Sequence, residues 1–250
     1  MRKITPLLLG LVLACTAASR QVAPPVEGVL AAEAEHCKAG TLLPLRTPQV
    51  AYAALVRRQA VAYRRPRGGV VARFGQVNMN GYPTVLGVLG TVVGRNCSPR
   101  WFHVQLPIKP NGAAGFVRAA DVQLAPVRTR IVVDVSERRL TLYRRNRPVL
   151  TATVAVGSSS TPTPLGRYYV NQRLIPADTR GAFGPGAVGI SAFSNVLTGW
   201  AQSGPIAIHG TNEPWSIGKA VSNGCIRLPN ATLRRVFRLA WAGTPVIIRA

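Results

Sequence analysis

The sequence predicts a mainly β protein: a small β-barrel followed by a larger β-rich domain with one C-terminal helix. Three observations predict it. Between residues 59 and 124 the chain breaks into short apolar pieces separated by Gly, Pro and Asn. Apolar residues alternate again at Ile131, Val133 and Val135 and at Leu140 and Leu142, with turn-like stretches at 136–139 and 145–148. Helical spacing is clear only near the end, at Leu233, Val236, Phe237 and Ala240. Alternation with period two marks a half-buried strand, and spacings of three and four mark one helix face.

Taken in order, residues 1–19 place Arg2 and Lys3 before an apolar run from Leu7 to Ala14, the layout of an export signal. Within it, "LVLAC" at 11–15 resembles the lipobox of bacterial lipoproteins, which implies lipidation of Cys15. Cleavage near Ala17 or Ala18, discarding Cys15, is the alternative. The longest later apolar stretch, 85–94, is broken by glycine and falls short of the roughly 18 residues a membrane span needs. An exported protein of the cell envelope is expected. Residues 20–56 lack periodicity and read as a linker.

Residues 57–125 hold "QAVAYRR", "VVARFG", "TVLGVLGTVV", "WFHVQLPI" and "GFVRAADV". Five short strands in so few residues imply a small barrel. A short hinge at 124–130 leads to the second domain, 128–250. There, 182–200 is so rich in glycine that it reads as a long covering loop. The helix is expected to start with Asn230 as its N-cap, with Gly243 past its end, and "TPVIIRA" closes the chain as a strand.

Charge narrows the partners. Lys and Arg number 31 against 8 Asp and Glu, a net +23. Such a balance favours a polyanionic partner. For an exported chain that means anionic cell-wall polymers or a membrane surface, and no nucleic acid is expected.

The four cysteines sort by position. Cys15 belongs to the signal, which leaves Cys37 and Cys97 as the pair available for a disulfide in an oxidising compartment. Cys225 is left over, as a reactive thiol or an inert buried one.

Around Cys225 the residues suit acyl transfer. "GPIAIHG" ends a strand at His209, and "SNGCIRL" sets Cys225 after Asn223-Gly224, a pair that tolerates a sharp turn. Acyl transfer needs a thiolate, a base to generate it, and donors for the developing oxyanion. His209 suits the base, and the backbone N–H groups of Gly224 and Cys225, with that of Asn223, suit the oxyanion hole. Ser222 either hydrogen-bonds within the site or shapes the turn. Arg227 either binds a substrate carboxylate or pairs internally, for example with Asp134. Glu213, among Asn and Pro, reads as a solvated loop residue. Zinc would need three or four ligands, and neither C-x-x-C nor H-E-x-x-H occurs, so no metal is expected.

"HGTN" followed by "SNGCIRL" resembles the signature of the YkuD-type L,D-transpeptidase catalytic domain. "PTPLGRYYV" at 162–170 and the closing "GTPVIIR" resemble further strands of that family. The resemblance covers about 128–250. It implies Cys225 as nucleophile, His209 as general base and acid oriented by the Gly210 carbonyl, and no cofactor. It also implies the reaction. Cys225 takes the acyl group of a peptidoglycan tetrapeptide stem, releases D-alanine, and passes the thioester to an amine of a neighbouring stem. With water as acceptor the activity is an L,D-carboxypeptidase. A non-catalytic wall-binding protein is the alternative from another class. Asn223 stands where some members have His, and Thr232 where an acidic residue often follows. The run 101–122 resembles bacterial Src-homology-3-like domains, with Phe116 where a second Trp is usual.

Overall fold

The computed structural model describes residues 38–250. The expected signal segment, Cys15 and Cys37 lie outside the described residues. Strands β1 (Leu42–Pro44), β2 (Ala51–Val56), β3 (Gln59–Tyr63), β4 (Val70–Gly75), β5 (Val85–Val93), β6 (Pro99–Gln105), β7 (Ala114–Arg118) and β8 (Val122–Val127) form the first sheet. Its order is β4-β3-β7-β6-β5-β2-β8, with β1 added on β5, and all its pairs are antiparallel. Its core holds Tyr52, Leu86, Val88, Val104 and Leu106.

Two expectations change here. The stretch read as linker supplies β1 and β2, because Ala51–Val56 is buried almost throughout and pairs with β5 and β8. A strand buried on both faces has no alternation to betray it. The stretch read as a hinge is the end of β8 and the start of the next strand, β9 (Thr129–Asp134), with Arg128 alone between them.

The second sheet runs β11-β10-β9-β18-β13-β14-β15-β17. Its strands are β9 (Thr129–Asp134), β10 (Arg139–Arg144), β11 (Arg147–Thr153), β13 (Gly166–Leu174), β14 (Ala187–Phe193), β15 (Pro205–His209), β17 (Ile226–Arg227) and β18 (Pro245–Arg249). β12 (Val156–Gly157) and β16 (Ala220–Ser222) form a separate parallel pair. The β9–β18 and β15–β17 pairs are also parallel. Arg145 and Asn146 both adopt positive φ in the tight β10–β11 turn, the handedness that matches strand twist.

The expected covering loop at 182–200 holds a central strand instead, β14, six of whose seven residues are buried. Gly189 explains the misreading. It lies where the register with β13 shifts, and a Cβ there would come within 2.8 Å of the Gln172 side chain. Helix α1 (Asn230–Leu239) packs Leu233 and Val236 into the second core. Pro229, not Asn230, holds its N-cap position.

The two sheets meet closely. A Cβ on Gly87 of β5 would lie 2.7 Å from the Tyr169 ring, and one on Gly243 would lie 2.4 Å from the Ala53 Cβ. The buried Tyr169 hydroxyl donates to the Val85 carbonyl at 3.1 Å, and Gln105 Nε2 to the Arg167 carbonyl at 2.5 Å. Asn111 binds Phe193 from both sides: Nδ2 donates to its carbonyl at 2.7 Å, and Oδ1 accepts its N–H at 2.8 Å.

Candidate active site

Strand register builds the site. β15 and β17 run parallel with Ile208 beside Ile226 and His209 beside Arg227. Ile206, Ile208, Ile226 and Leu228 are buried in the core. Alternation therefore turns Ala207, His209, Cys225 and Arg227 to the opposite face. Cys225, one residue before the pair, stands beside Ala207, two residues from His209 on the same face.

His209 is buried, and its Nδ1 lies 2.5 Å from the Gly210 carbonyl oxygen. A carbonyl only accepts, so Nδ1 carries the proton and Nε2 keeps its lone pair. The Phe183 ring covers the imidazole edge-on, with centroids 4.8 Å apart. Burial, with a smaller contribution from Arg227, pushes the His209 pKa down to about 4, against the opposing Gly210 bond.

Cys225 is a free, partly buried thiol. Burial raises its pKa, and a hydrogen bond from the Ala207 backbone and the charge of Arg227 pull it back. At neutral pH the resting pair is thus thiol and neutral imidazole.

The turn before Cys225 is held from several sides. Gly224 has φ +106°, and a Cβ there would meet Ile206 Cδ1 at 3.0 Å. Ser222 Oγ donates to the Cys225 carbonyl at 2.6 Å and accepts the Gly224 N–H at 3.2 Å. Ser222 therefore shapes the turn, and it occupies the Gly224 N–H expected in the oxyanion hole. Asn223 is exposed at the tip of the turn. Thr161 Oγ1 donates to the Ser222 carbonyl and Thr163 Oγ1 to the Gly224 carbonyl, each at 2.9 Å.

Arg227 pairs through Nη1 with Glu213 Oε2. That corrects two expectations: Glu213 is not a free loop residue, and Asp134 is not the partner. Asp134 instead accepts from Ser136, the Glu137 N–H and Arg249. The Arg227 Nε remains buried with no acceptor among the described residues.

Asn230 acts on this site rather than on its helix. Its Oδ1 accepts the Thr211 N–H at 2.8 Å and its Nδ2 donates to the Thr211 carbonyl at 3.0 Å, fixing the loop after His209. Space is tight there, since a Cβ on Gly210 would lie 2.3 Å from Asn230 Oδ1 and one on Gly184 2.4 Å from it. Sequence reasoning missed the roles of Asn230, Phe183, Thr161, Thr163 and Glu213. The Thr-Pro-Thr run at 161–163, overlapping the start of the quoted strand pattern, was the available signal for the two threonines.

Cys97 is disulfide-bonded, and its expected partner Cys37 lies outside the described residues. Among the described residues no group of three His, Cys, Asp or Glu side chains is placed to hold a metal ion. Nor is any helix there long and apolar enough to cross a membrane.

Residues 128–248 match the family model of the YkuD L,D-transpeptidase catalytic domain. A Bacillus licheniformis protein named as a candidate L,D-transpeptidase, YkuD, is 38% identical over 122 residues, which cover 48% of this chain and 64% of that one. Its Bacillus subtilis counterpart is 36% identical over 121 residues, 47% of this chain and 64% of that one. The chain thus spans under two thirds of the length of these relatives. The solved catalytic domain of an Enterococcus faecium L,D-transpeptidase is 23% identical with a TM-score of 0.36, covering 48% of this chain and 96% of that one. Residues 128–248 are therefore similar to the YkuD L,D-transpeptidase catalytic domain.

Proposed function

We propose that the chain is a peptidoglycan L,D-transpeptidase in which Cys225 carries the acyl group and His209 moves the protons. One observation supports this above the others: the β15–β17 register sets a free thiol on the same face as an imidazole whose Nδ1–H is tied to Gly210, leaving Nε2 as base.

The pKa values set the order of events. With burial holding the proton on the Cys225 thiol and the His209 pKa near 4, moving that proton to the imidazole is uphill before the new charges attract. A preformed ion pair is therefore not the resting state, and proton transfer accompanies attack on the stem's amide carbonyl. Nε2 takes the thiol proton as the S–C bond forms. The oxyanion needs donors, and with the Gly224 N–H held by Ser222, the Cys225 N–H is the leading candidate. Nε2 then protonates the departing D-alanine amine as the C–N bond breaks. An acceptor amine attacks the thioester and gives its proton to Nε2, the C–S bond breaks as the new C–N bond forms, and Nε2 returns the proton to the departing sulfur to restore the thiol. If water is the acceptor, the outcome is an L,D-carboxypeptidase.

Arg227, half-buried beside both reacting groups, is a candidate subsite for the stem carboxylate once Glu213 is displaced. The finer readings complete the proposal. The first sheet is a Src-homology-3-like module, the chain is exported to the envelope with or without a lipid on Cys15, Cys37 pairs with Cys97, and the positive charge favours anionic wall polymers.

The test is mass spectrometry of the folded chain after exposure to a carbapenem. A single adduct on Cys225, lost in Cys225→Ala, is expected. No adduct on folded protein would overturn the proposal and favour a non-catalytic wall-binding role.

A further inference from the structure

A second site lies at the junction of the two sheets, away from the β15–β17 edge. A cavity of about 230 Å³ opens there between the loop after β1, the β8–β9 junction, the β10–β11 turn, and strands β13 and β18. Arg46, Arg128, Arg130 and Arg167 line it, and none of its lining residues is acidic. In a chain with so many arginines, an arginine-lined hollow alone means little. Here two further features single it out.

First, the Nε atoms of Arg46 and Arg130 are buried with no acceptor among the described residues. A buried N–H without a partner is costly and is normally matched by protein, water or ligand. Second, the arginines are otherwise held in place. Arg46 Nη2 reaches the Val88 carbonyl at 3.4 Å, and Arg130 Nη2 donates to Asn146 Oδ1 at 3.0 Å while its guanidinium lies 4.5 Å from the Tyr143 ring centroid. Fixed guanidinium forks lose little freedom on binding, and their geometry matches phosphate oxygens. Burial and the neighbouring Arg167 both hold the Arg46 pKa below its ordinary value, as expected for like charges gathered without a counter-ion.

We propose that this cavity binds a phosphate group, held by the guanidinium groups of Arg46 and Arg130 with Arg128 and Arg167 at the rim. Four guanidinium groups suit a phosphate better than a single carboxylate, and Tyr143 and Pro245 offer an apolar wall to whatever the phosphate is attached to. Because the walls come from both sheets, an occupied site ties the two together.

Calorimetry of the purified full chain with inorganic phosphate, at constant ionic strength and against acetate, tests this. Saturable one-site binding with a raised unfolding temperature is expected, weakened about tenfold or more in Arg46→Gln and in Arg130→Gln. Arg100→Gln, in a separate basic hollow, should leave the affinity within about twofold. Should these two substitutions unfold the chain, Arg167→Gln at the exposed rim must show the same weakening. A glycerol-phosphate oligomer that binds more tightly than inorganic phosphate would identify a polymer as the source, and equal affinity per phosphate would identify the free ion. Binding that does not saturate, that acetate matches, or that Arg100→Gln weakens equally would overturn the proposal. None of these readouts depends on Cys225 or on transpeptidation.

Discussion

At the seam between the sheets, Tyr169 is fully buried, its hydroxyl meets the Val85 carbonyl, and Gly87 and Gly243 leave just enough room for the opposing side chains. At the β15–β17 edge, His209 is equally buried but short of a proton, Cys225 is disfavoured as a thiolate, and the Arg227 Nε has no acceptor. Around Tyr169 the seam pairs its polar group locally and gains stability, while Arg46 Nε and Arg130 Nε farther along it stay without acceptors among the described residues. The edge leaves ionisable groups away from their preferred states, as a site that must move protons requires.

The sharpest separation of the two regions comes from Cys225→Ala, which should lower the proposed transpeptidation by about a thousandfold or more while the unfolding temperature hardly moves. A parallel loss of stability would mean that the edge is structural too. Gly243→Val is the converse. With φ +89° and the Ala53 Cβ in the way, it should destabilise by about 3 kcal/mol in denaturant titration, with activity per folded molecule nearly unchanged.

Acid should expose the cost of the edge. The unfolded histidine binds its proton near pH 6.5 and the folded one only near 4, so the unfolded state holds more protons between them and stability falls as pH drops. The loss is about 3 kcal/mol by pH 4 and should disappear in His209→Gln. The raised Cys225 pKa acts with the opposite sign, so its contribution to stability declines above about pH 9. Asn230→Ala should cost about 1–2 kcal/mol and lower kcat about tenfold by freeing the Thr211 loop. The smallest expected effect is that of Glu213→Gln, a gain of about two- to fivefold in kcat/KM for donors with a free carboxylate, as Arg227 is released. No change there would detach Arg227 from substrate binding.

What the sequence revealed follows from which signals are local. Alternation at Ile131–Val135 and Leu140–Leu142, the spacing of Leu233, Val236 and Phe237, and the Asn-Gly turn before Cys225 are all contained in a few residues, and each marks an element found here. β2 and β14 were missed because strands buried on both faces, or interrupted by glycine at a register shift, lose the period that reveals them. The site was legible as far as single residues go. Its partnerships were not: Glu213 with Arg227, Asn230 with Thr211, and Ser222 with the Gly224 N–H depend on loops meeting in space. Asn230 was the most misleading, since a residue well suited to capping spends its amide on the loop after His209 instead.

Everything proposed for the edge rests on a neutral resting pair. The direct test is a ¹⁵N NMR titration of the imidazoles, of which the chain has three. His209 should titrate near pH 4 with its proton on Nδ1, and the signal should be lost in His209→Gln. A His209 pKa at or above 6.5, or an imidazolium at neutral pH that vanishes in Cys225→Ala, would contradict it.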